Sequence, residues 1–88
     1  MVYSLLIPDY LDRIFFKLAK KNKKGMQILD KKIQQILENP HHFKPLRGGM
    51  VGVRRVHIGK SFVLTFEILE EQKVVRLLDF DHHDKVYR

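Results

Sequence analysis

The hydrophobic side chains of this sequence change their spacing once, between its first and second halves. Between residues 9 and 38 they recur every three or four positions, which predicts amphipathic helices. From Met50 to Phe80 they recur at every second position, which predicts strands. Because a helical stripe and a strand face each need an apolar partner, this order predicts helices packed on a sheet.

Turn-forming residues divide the chain into elements. Residues 2–7 suit a first strand, Pro8 and Asp9 suit the first turn of a helix, and Gly25 suits its end. A second helix is predicted over residues 26–38, followed by a loop over residues 41–49. Three strand-like runs with short connections then predict an antiparallel meander. The predicted core residues are Leu11, Ile14, Phe15, Leu18, Met26, Leu29, Ile33, Ile36, Leu37, Phe62, Leu64, Phe66 and Ile68.

The element order is therefore β-α-α-β-β-β, in one domain over residues 1–88. The predicted fold class is α+β, with an N-terminal strand and a two-helix hairpin packed on one face of an antiparallel sheet. If Val56, Ile58 and Phe66 face the helices, Arg55 and His57 face the other way, because side chains two apart share a face. This predicts a cationic, imidazole-bearing groove on the open face, although an ordinary solvated face has the same alternation.

The charge of the chain favours a polyanionic partner. The formal net charge is +7 and the pI is about 9.9. Residues 1–60 hold 13 Lys and Arg against 4 Asp and Glu, whereas residues 61–88 hold 4 against 6. Basic side chains displace counterions from phosphates, so nucleic acid fits, but an anionic membrane surface or an acidic protein satisfies the same electrostatics.

Cysteine is absent and no apolar run suits a signal peptide or a membrane span, which predicts a cytoplasmic protein without a membrane partner. Five histidines invite a search for a metal site. His41-His42 and His82-His83 are adjacent pairs, however, and match no zinc-binding spacing. We therefore expect neither a metal nor another cofactor.

The last residues combine groups that transfer protons with groups that bind phosphate. His82, His83 and Tyr87 follow a strand-like apolar run, and Lys85 and Arg88 lie among them. An imidazole can give or take a proton near neutral pH, a phenol can donate one, and Lys or Arg can hold a phosphate. The segment suggests chemistry on RNA, and a solubilising polar tail is the alternative.

Four segments, in chain order, resemble the RelE/ParE superfamily of toxins from type II toxin–antitoxin systems. Residues 44–48 resemble its K-x-L-x-G loop and residues 54–59 its Y-R-I-R-x-G strand. Residues 62–68 resemble the next strand, Y-R-V-x-Y-x-I, and residues 82–88 the terminal H-R-x-x-V-Y. The length and the element order also agree, so the resemblance covers essentially the whole chain.

In the RelE-like branch, this resemblance implies a metal-independent endoribonuclease that cuts messenger RNA on the ribosome and is inhibited by an antitoxin, with which it forms a hetero-oligomer. It assigns Arg55 and His57 to the basic strand positions, and His82 and Tyr87, supported by His83, to proton transfer. The further residues expected to bind RNA are Lys44, Arg47, Arg54, Lys60, Lys85 and Arg88.

Three positions depart from the family pattern. Val63 replaces a common cation, His83 replaces a common Arg, and Arg54 replaces an aromatic residue. These changes leave either a His-based variant of the same reaction or a weakened enzyme. The alternative function is a non-enzymatic binder: a ParE-like poison of DNA gyrase, or a degenerate toxin that acts as an interaction module.

Overall fold

The computed structural model describes residues 3–45 and 52–82 and has the predicted fold class. Strand β1 (Ser4–Leu6) precedes helices α1 (Asp9–Lys21) and α2 (Lys23–Glu38) and a short 3-10 helix (Pro40–His42). Strands β2 (Val53–Ile58), β3 (Phe62–Leu69) and β4 (Val74–His82) form the antiparallel meander. The sheet order is β1-β4-β3-β2, and β1 pairs with β4 in parallel. Strand β2 is therefore an edge strand.

The junction between the two helices lies earlier than the sequence predicts. Helix α1 ends at Lys21, and Gly25 lies inside α2 instead of ending α1. The reason is Asn22, whose side chain accepts a hydrogen bond from the Gly25 backbone N–H at 2.9 Å and so caps α2. No helix in the described ranges is long and apolar enough to cross a membrane.

The core lies between the helix pair and one face of the sheet. Leu11 and Phe15 of α1 pack with Leu64 and Phe66 of β3, and Phe66 has no exposed surface. Phe62 and Ile68 are partly buried at the margins of this core. Ile14 was predicted to lie in the core, but it is 38% exposed because it sits at the edge of the apolar stripe of α1.

Strand β4 contains a bulge that decides which way its last residues face. Thr65 pairs with Asp79 and Phe66 pairs with Leu77, so Leu78 is an extra residue in the ladder. The Leu78 carbonyl accepts a hydrogen bond from the Tyr10 hydroxyl of α1. Strict alternation from Leu77 would send Phe80 away from the helices, whereas the bulge returns Phe80 to the core.

Candidate functional site

The sheet face away from the helices carries Arg55 and His57. Their neighbours Val56 and Ile58 are buried in the core on the opposite face. Arg55 is half-buried and His57 is exposed. A guanidinium and an imidazole thus lie two residues apart on one face of an edge strand, as the alternation predicts.

Cross-strand rows show what surrounds these two side chains. Arg55 pairs with Thr65. His57 pairs with Val63, and Val63 pairs in turn with Asp81. Val63 is 0% exposed and Thr65 is 6% exposed. On this face β3 is therefore buried at these two positions, and polar groups lie on its neighbours β2 and β4.

The charges on this face are divided between its two sides. Asp79 and Asp81 lie on β4, and Glu67 at one end of β3 forms a salt bridge with Arg76. The face was expected to be a cationic groove, but in its described part this holds only on the β2 side. The acidic side arises because the bulge at Leu78 turns Asp79 and Asp81 away from the helices.

The cations along β2 extend beyond its two ends. Lys44 is exposed and precedes the strand, and its carbonyl accepts a hydrogen bond from the Arg55 N–H at 3.0 Å. Lys60 is exposed in the turn between β2 and β3. We call this set of residues the β2 edge: Lys44, Arg55, His57 and Lys60.

Two other predicted site residues lie elsewhere. Arg54 is on the helix side, where its guanidinium donates a hydrogen bond of 2.7 Å to the Phe43 carbonyl. His82 is also on the helix side, because it pairs with Phe62 and its ring lies against the Phe62 ring, 4.7 Å away between centroids. The sheet therefore separates His82 from Arg55 and His57, and the predicted convergence of these three side chains does not occur. The predicted residues Arg47, His83, Lys85, Tyr87 and Arg88 lie outside the described residues.

A second polar cluster, which sequence reasoning missed, joins three distant segments. The Tyr3 hydroxyl donates hydrogen bonds to both Glu70 carboxylate oxygens, at 2.9 and 3.2 Å. His41 Nε2 lies 3.0 Å from Glu70, and Lys73 Nζ lies 2.7 Å from it. His41 follows Tyr3 by 38 positions and Glu70 follows it by 67, so they meet only in the folded chain. No spacing in the sequence indicates this contact.

This cluster, which we call the Glu70 clasp, shifts the protonation of its members. The hydrogen bond from Lys73, followed by that from Tyr3, lowers the pKa of the Glu70 carboxyl to about 2. The same contact with Glu70 raises the pKa of Lys73, and the hydrogen bond to Glu70 raises the pKa of the Tyr3 hydroxyl. Glu70 and Lys73 are about half exposed, so the clasp ties the β3–β4 turn to the start of the chain at the protein surface.

In the described ranges, no three His, Asp or Glu side chains lie close enough together to hold a metal ion. Among the described residues, the groups on the open face that could act on a substrate are the guanidinium of Arg55, the imidazole of His57 and the carboxylates of β4.

Comparison with known protein families gives one match over nearly the whole chain. The model of the family described as "ParE toxin of type II toxin-antitoxin system, parDE" matches residues 5–87. A protein of Methanocaldococcus jannaschii named "Putative toxin RelE4" is 46% identical over 87 residues, which are 99% of this chain and 93% of that protein. An uncharacterized protein of Methanosarcina mazei is 54% identical over 86 residues, which are 98% of this chain and 100% of that protein.

Solved structures share the fold at low sequence identity. A mutant of the E. coli toxin RelE in the free state has a TM-score of 0.78 at 24% identity, over 99% of this chain and 92% of that chain. A chain of the YoeB–YefM complex from Staphylococcus aureus has a TM-score of 0.77 at 12% identity, over 92% of this chain and 97% of that chain. A chain of the intact E. coli RelBE toxin–antitoxin complex has a TM-score of 0.76 at 24% identity, over 90% of this chain and 94% of that chain.

Proposed function

The chain belongs to the RelE/ParE superfamily of type II toxins, and from this we propose that it is an endoribonuclease that cleaves messenger RNA on the ribosome without a metal ion. One observation carries the proposal: Arg55 and His57 lie on one open face of an edge strand, between two exposed lysines. Cations beside an imidazole are the groups needed to hold a phosphate and move a proton next to it.

The division of charge indicates where the RNA backbone would lie. Neighbouring strands are about 4.8 Å apart, so the Asp81 backbone on β4 is about 10 Å from that of His57 on β2. Carboxylates repel a phosphate, and cations release its counterions. The phosphate therefore lies over the β2 edge, near Arg55, and not over the middle of the sheet.

The proposed reaction divides its tasks among few groups. The 2′-oxygen attacks the phosphorus and gives its proton to a base, and the 5′-oxygen leaves with a proton from an acid. His57 is the base in this proposal, and Arg55 stabilises the charge that develops on the phosphoryl oxygens. Tyr87, to which the family resemblance assigns a part in proton transfer, is the acid in this proposal, with His83 in support. His82 takes no part in proton transfer, because it lies on the other side of the sheet.

An antitoxin is the second proposed partner. Helix α1 exposes Tyr10, Ile14 and Phe16, and the Lys20 ammonium lies 4.5 Å from the centre of the Phe16 ring. Exposed apolar side chains beside lysines fit an amphipathic, acidic segment, and complementary charge would speed its association. Co-expression with the neighbouring reading frame should rescue growth and give a complex that co-purifies. A chain that is harmless alone, and with which nothing co-purifies, would contradict the toxin assignment.

Cleavage of messenger RNA on translating ribosomes tests the reaction. His57→Ala and Tyr87→Phe should each lower the cleavage rate by about 10²–10⁴-fold, because each removes a proton-transfer group. Arg55→Ala should weaken RNA binding as well as lower the rate. His42→Ala is the matched control, since His42 is exposed on the short 3-10 helix. Circular dichroism confirms that each variant is folded.

Two outcomes would redirect the proposal. If the folded His57, Tyr87 and Arg55 variants all cleave like the parent, the active site lies elsewhere. The second candidate function, a poison of DNA gyrase, is favoured by the match to the ParE family model over residues 5–87. A parent that arrests growth, leaves RNA intact and inhibits gyrase supercoiling would establish that function instead.

A further inference from the structure

A cleft of about 200 Å³ opens on the helix side of the sheet, where β2 turns into β3. Its floor includes Ile58 and Phe62, and its rim includes Lys24, Lys60 and Ser61. The cleft thus combines an apolar floor with a cationic and hydroxylic rim. Lys60 belongs both to this rim and to the β2 edge, so the two surfaces meet at the turn.

Two aromatic rings that line this cleft, those of Phe62 and Phe80, are stacked, and the His82 ring lies tilted against Phe62 just outside the cleft. The rings of Phe80 and Phe62 are 4.8 Å apart between centroids, with an angle of 10° between their planes. The His82 ring lies 4.7 Å from that of Phe62 at 31°. Phe80 is buried and His82 is exposed, so the stack ends in a ring at the surface. An exposed ring at the end of a stack is a platform for another flat group.

These features together fit one nucleotide of a single strand. A nucleobase needs a flat ring and an apolar wall, and its phosphate needs a cation at the rim. At about 200 Å³ the cleft is below the range of pockets that hold drug-sized ligands, so a base would lie at its margin, on the exposed ring of His82, with the phosphate outside. An acidic peptide would use Lys24 and Lys60, but it would leave the ring stack unused.

The sheet ladder places the cleft close to the proposed site of cleavage. His57 pairs with Val63 on the open face, and the next row joins Ile58 to Phe62 and Phe62 to His82 on the helix face. Successive rows are about 3.4 Å apart along a strand. A strand bound along the β2 edge therefore reaches the cleft by passing around the turn that carries Lys60.

We propose that a nucleotide next to the scissile phosphate binds at the margin of this cleft, with its base on His82 and its phosphate at Lys60. The inference rests on the proposed ribonuclease function and adds a determinant of base preference to it. Larger bases stack better, so the cleft favours a purine. His82 is then a residue that positions RNA, and its loss weakens binding without changing the rate at saturating RNA.

The test measures binding of fluorescein-labelled 2′-O-methyl RNA heptamers, which lack the attacking hydroxyl. His82→Ala should weaken binding by roughly 5- to 150-fold, since one stacked base contributes about that much. Lys60→Ala should lower the slope of log affinity against log salt by about 0.7, the value expected for one phosphate of a single strand. His42→Ala and Lys31→Ala are the controls, because each removes the same side chain from an exposed position outside the cleft.

A heptamer series with one abasic position at each place in turn identifies the stacked base. The heptamer that lacks the base contacted by His82 should bind with equal affinity to the parent and to His82→Ala. If His82→Ala and Lys60→Ala bind every heptamer like their controls while the parent cleaves RNA, the cleft inference is wrong and the proposed function stands. If the parent neither binds nor cleaves RNA, both fail. If His82→Ala and Lys60→Ala lose affinity for the antitoxin but not for RNA, the cleft is a protein contact and the inference is wrong.

Discussion

The two faces of the sheet differ in what holds their side chains in place. On the helix face, Phe66, Leu64 and Leu77 are fully buried against α1 and α2, and their positions follow from apolar burial. On the open face, β3 is buried at Val63 and Thr65, and its two neighbours differ: β2 carries Arg55 and His57, and β4 carries Asp79 and Asp81. The first face makes the fold stable, and the second carries polar groups whose identity is not dictated by apolar burial.

The comparison also explains why neighbouring residues have different roles. Arg54 and Arg55 are adjacent, but Arg54 bonds to the Phe43 carbonyl at the edge of the core and Arg55 lies on the open face. Asp81 and His82 are divided in the same way by the end of β4. A role in this fold is therefore set by the direction of a side chain more than by its place in a motif.

The largest expected effect comes from the helix face. Phe66→Ala should lower the free energy of unfolding by about 3–5 kcal/mol, because it removes the largest fully buried side chain of the described core and leaves a cavity. A domain of 88 residues has little stability to spare, so the variant should be largely unfolded at 37 °C. Thermal denaturation followed by circular dichroism measures the loss.

Ile14→Ala is the control for Phe66→Ala. Ile14 is partly exposed on α1, and surface substitutions usually change stability by no more than about 0.5 kcal/mol. Equal melting temperatures for the parent and Phe66→Ala would mean that the buried face is wrongly assigned. A large loss on Ile14→Ala would show that α1 is packed by a face other than that of Leu11 and Phe15.

The sequence predicts the helix face well because apolar spacing carries the necessary information. The spacing of Leu11 and Phe15, and the alternation from Val56 to Phe66, are direct consequences of burial, and the structure confirms both. The end of α1 was misplaced because Gly25 suggests a helix end, whereas the cap comes from the Asn22 side chain. A glycine inside a helix and one after it look alike until the capping contact is known.

The open face was predicted only in part, because its geometry depends on one irregular residue. Arg55 and His57 follow from alternation in β2, which is regular. The placement of Asp79, Asp81 and His82 depends on the extra residue Leu78, and nothing in the run of hydrophobic residues distinguishes a bulge from a regular strand. The Glu70 clasp was missed because its members come together only through the tertiary fold.

The two adjacent arginines provide a second, smaller test of the comparison. Arg54→Gln should lower the free energy of unfolding by about 1–2 kcal/mol, because it removes a charged donor from the Phe43 carbonyl. Arg55→Gln should weaken RNA binding and lower the salt slope by about 0.7, whereas Arg54→Gln should leave the salt slope unchanged. Chemical denaturation and fluorescence anisotropy measure the two properties separately. If Arg54→Gln weakens RNA binding as much as Arg55→Gln does, the two faces do not have separate roles.

The smallest expected effect comes from the Glu70 clasp, where polar contacts contribute to stability at a distance from the β2 edge. The pKa of the Glu70 carboxyl is lowered to about 2 in the folded chain, from an ordinary value of 4.5. Its contribution is therefore fully present above pH 4.5 and is lost as the pH falls towards 2. Glu70→Gln should lower the melting temperature at pH 7 by less than about 4 °C, since exposed ion pairs contribute little. The difference from the parent should then shrink between pH 4.5 and 2.

Glu71→Gln, in the same exposed turn, controls for the loss of one carboxylate. If the difference in melting temperature between Glu70→Gln and the parent stays constant down to pH 2, the Glu70 charge does not stabilise the fold. If Glu70→Gln changes the affinity for RNA, the clasp is part of the RNA-binding surface.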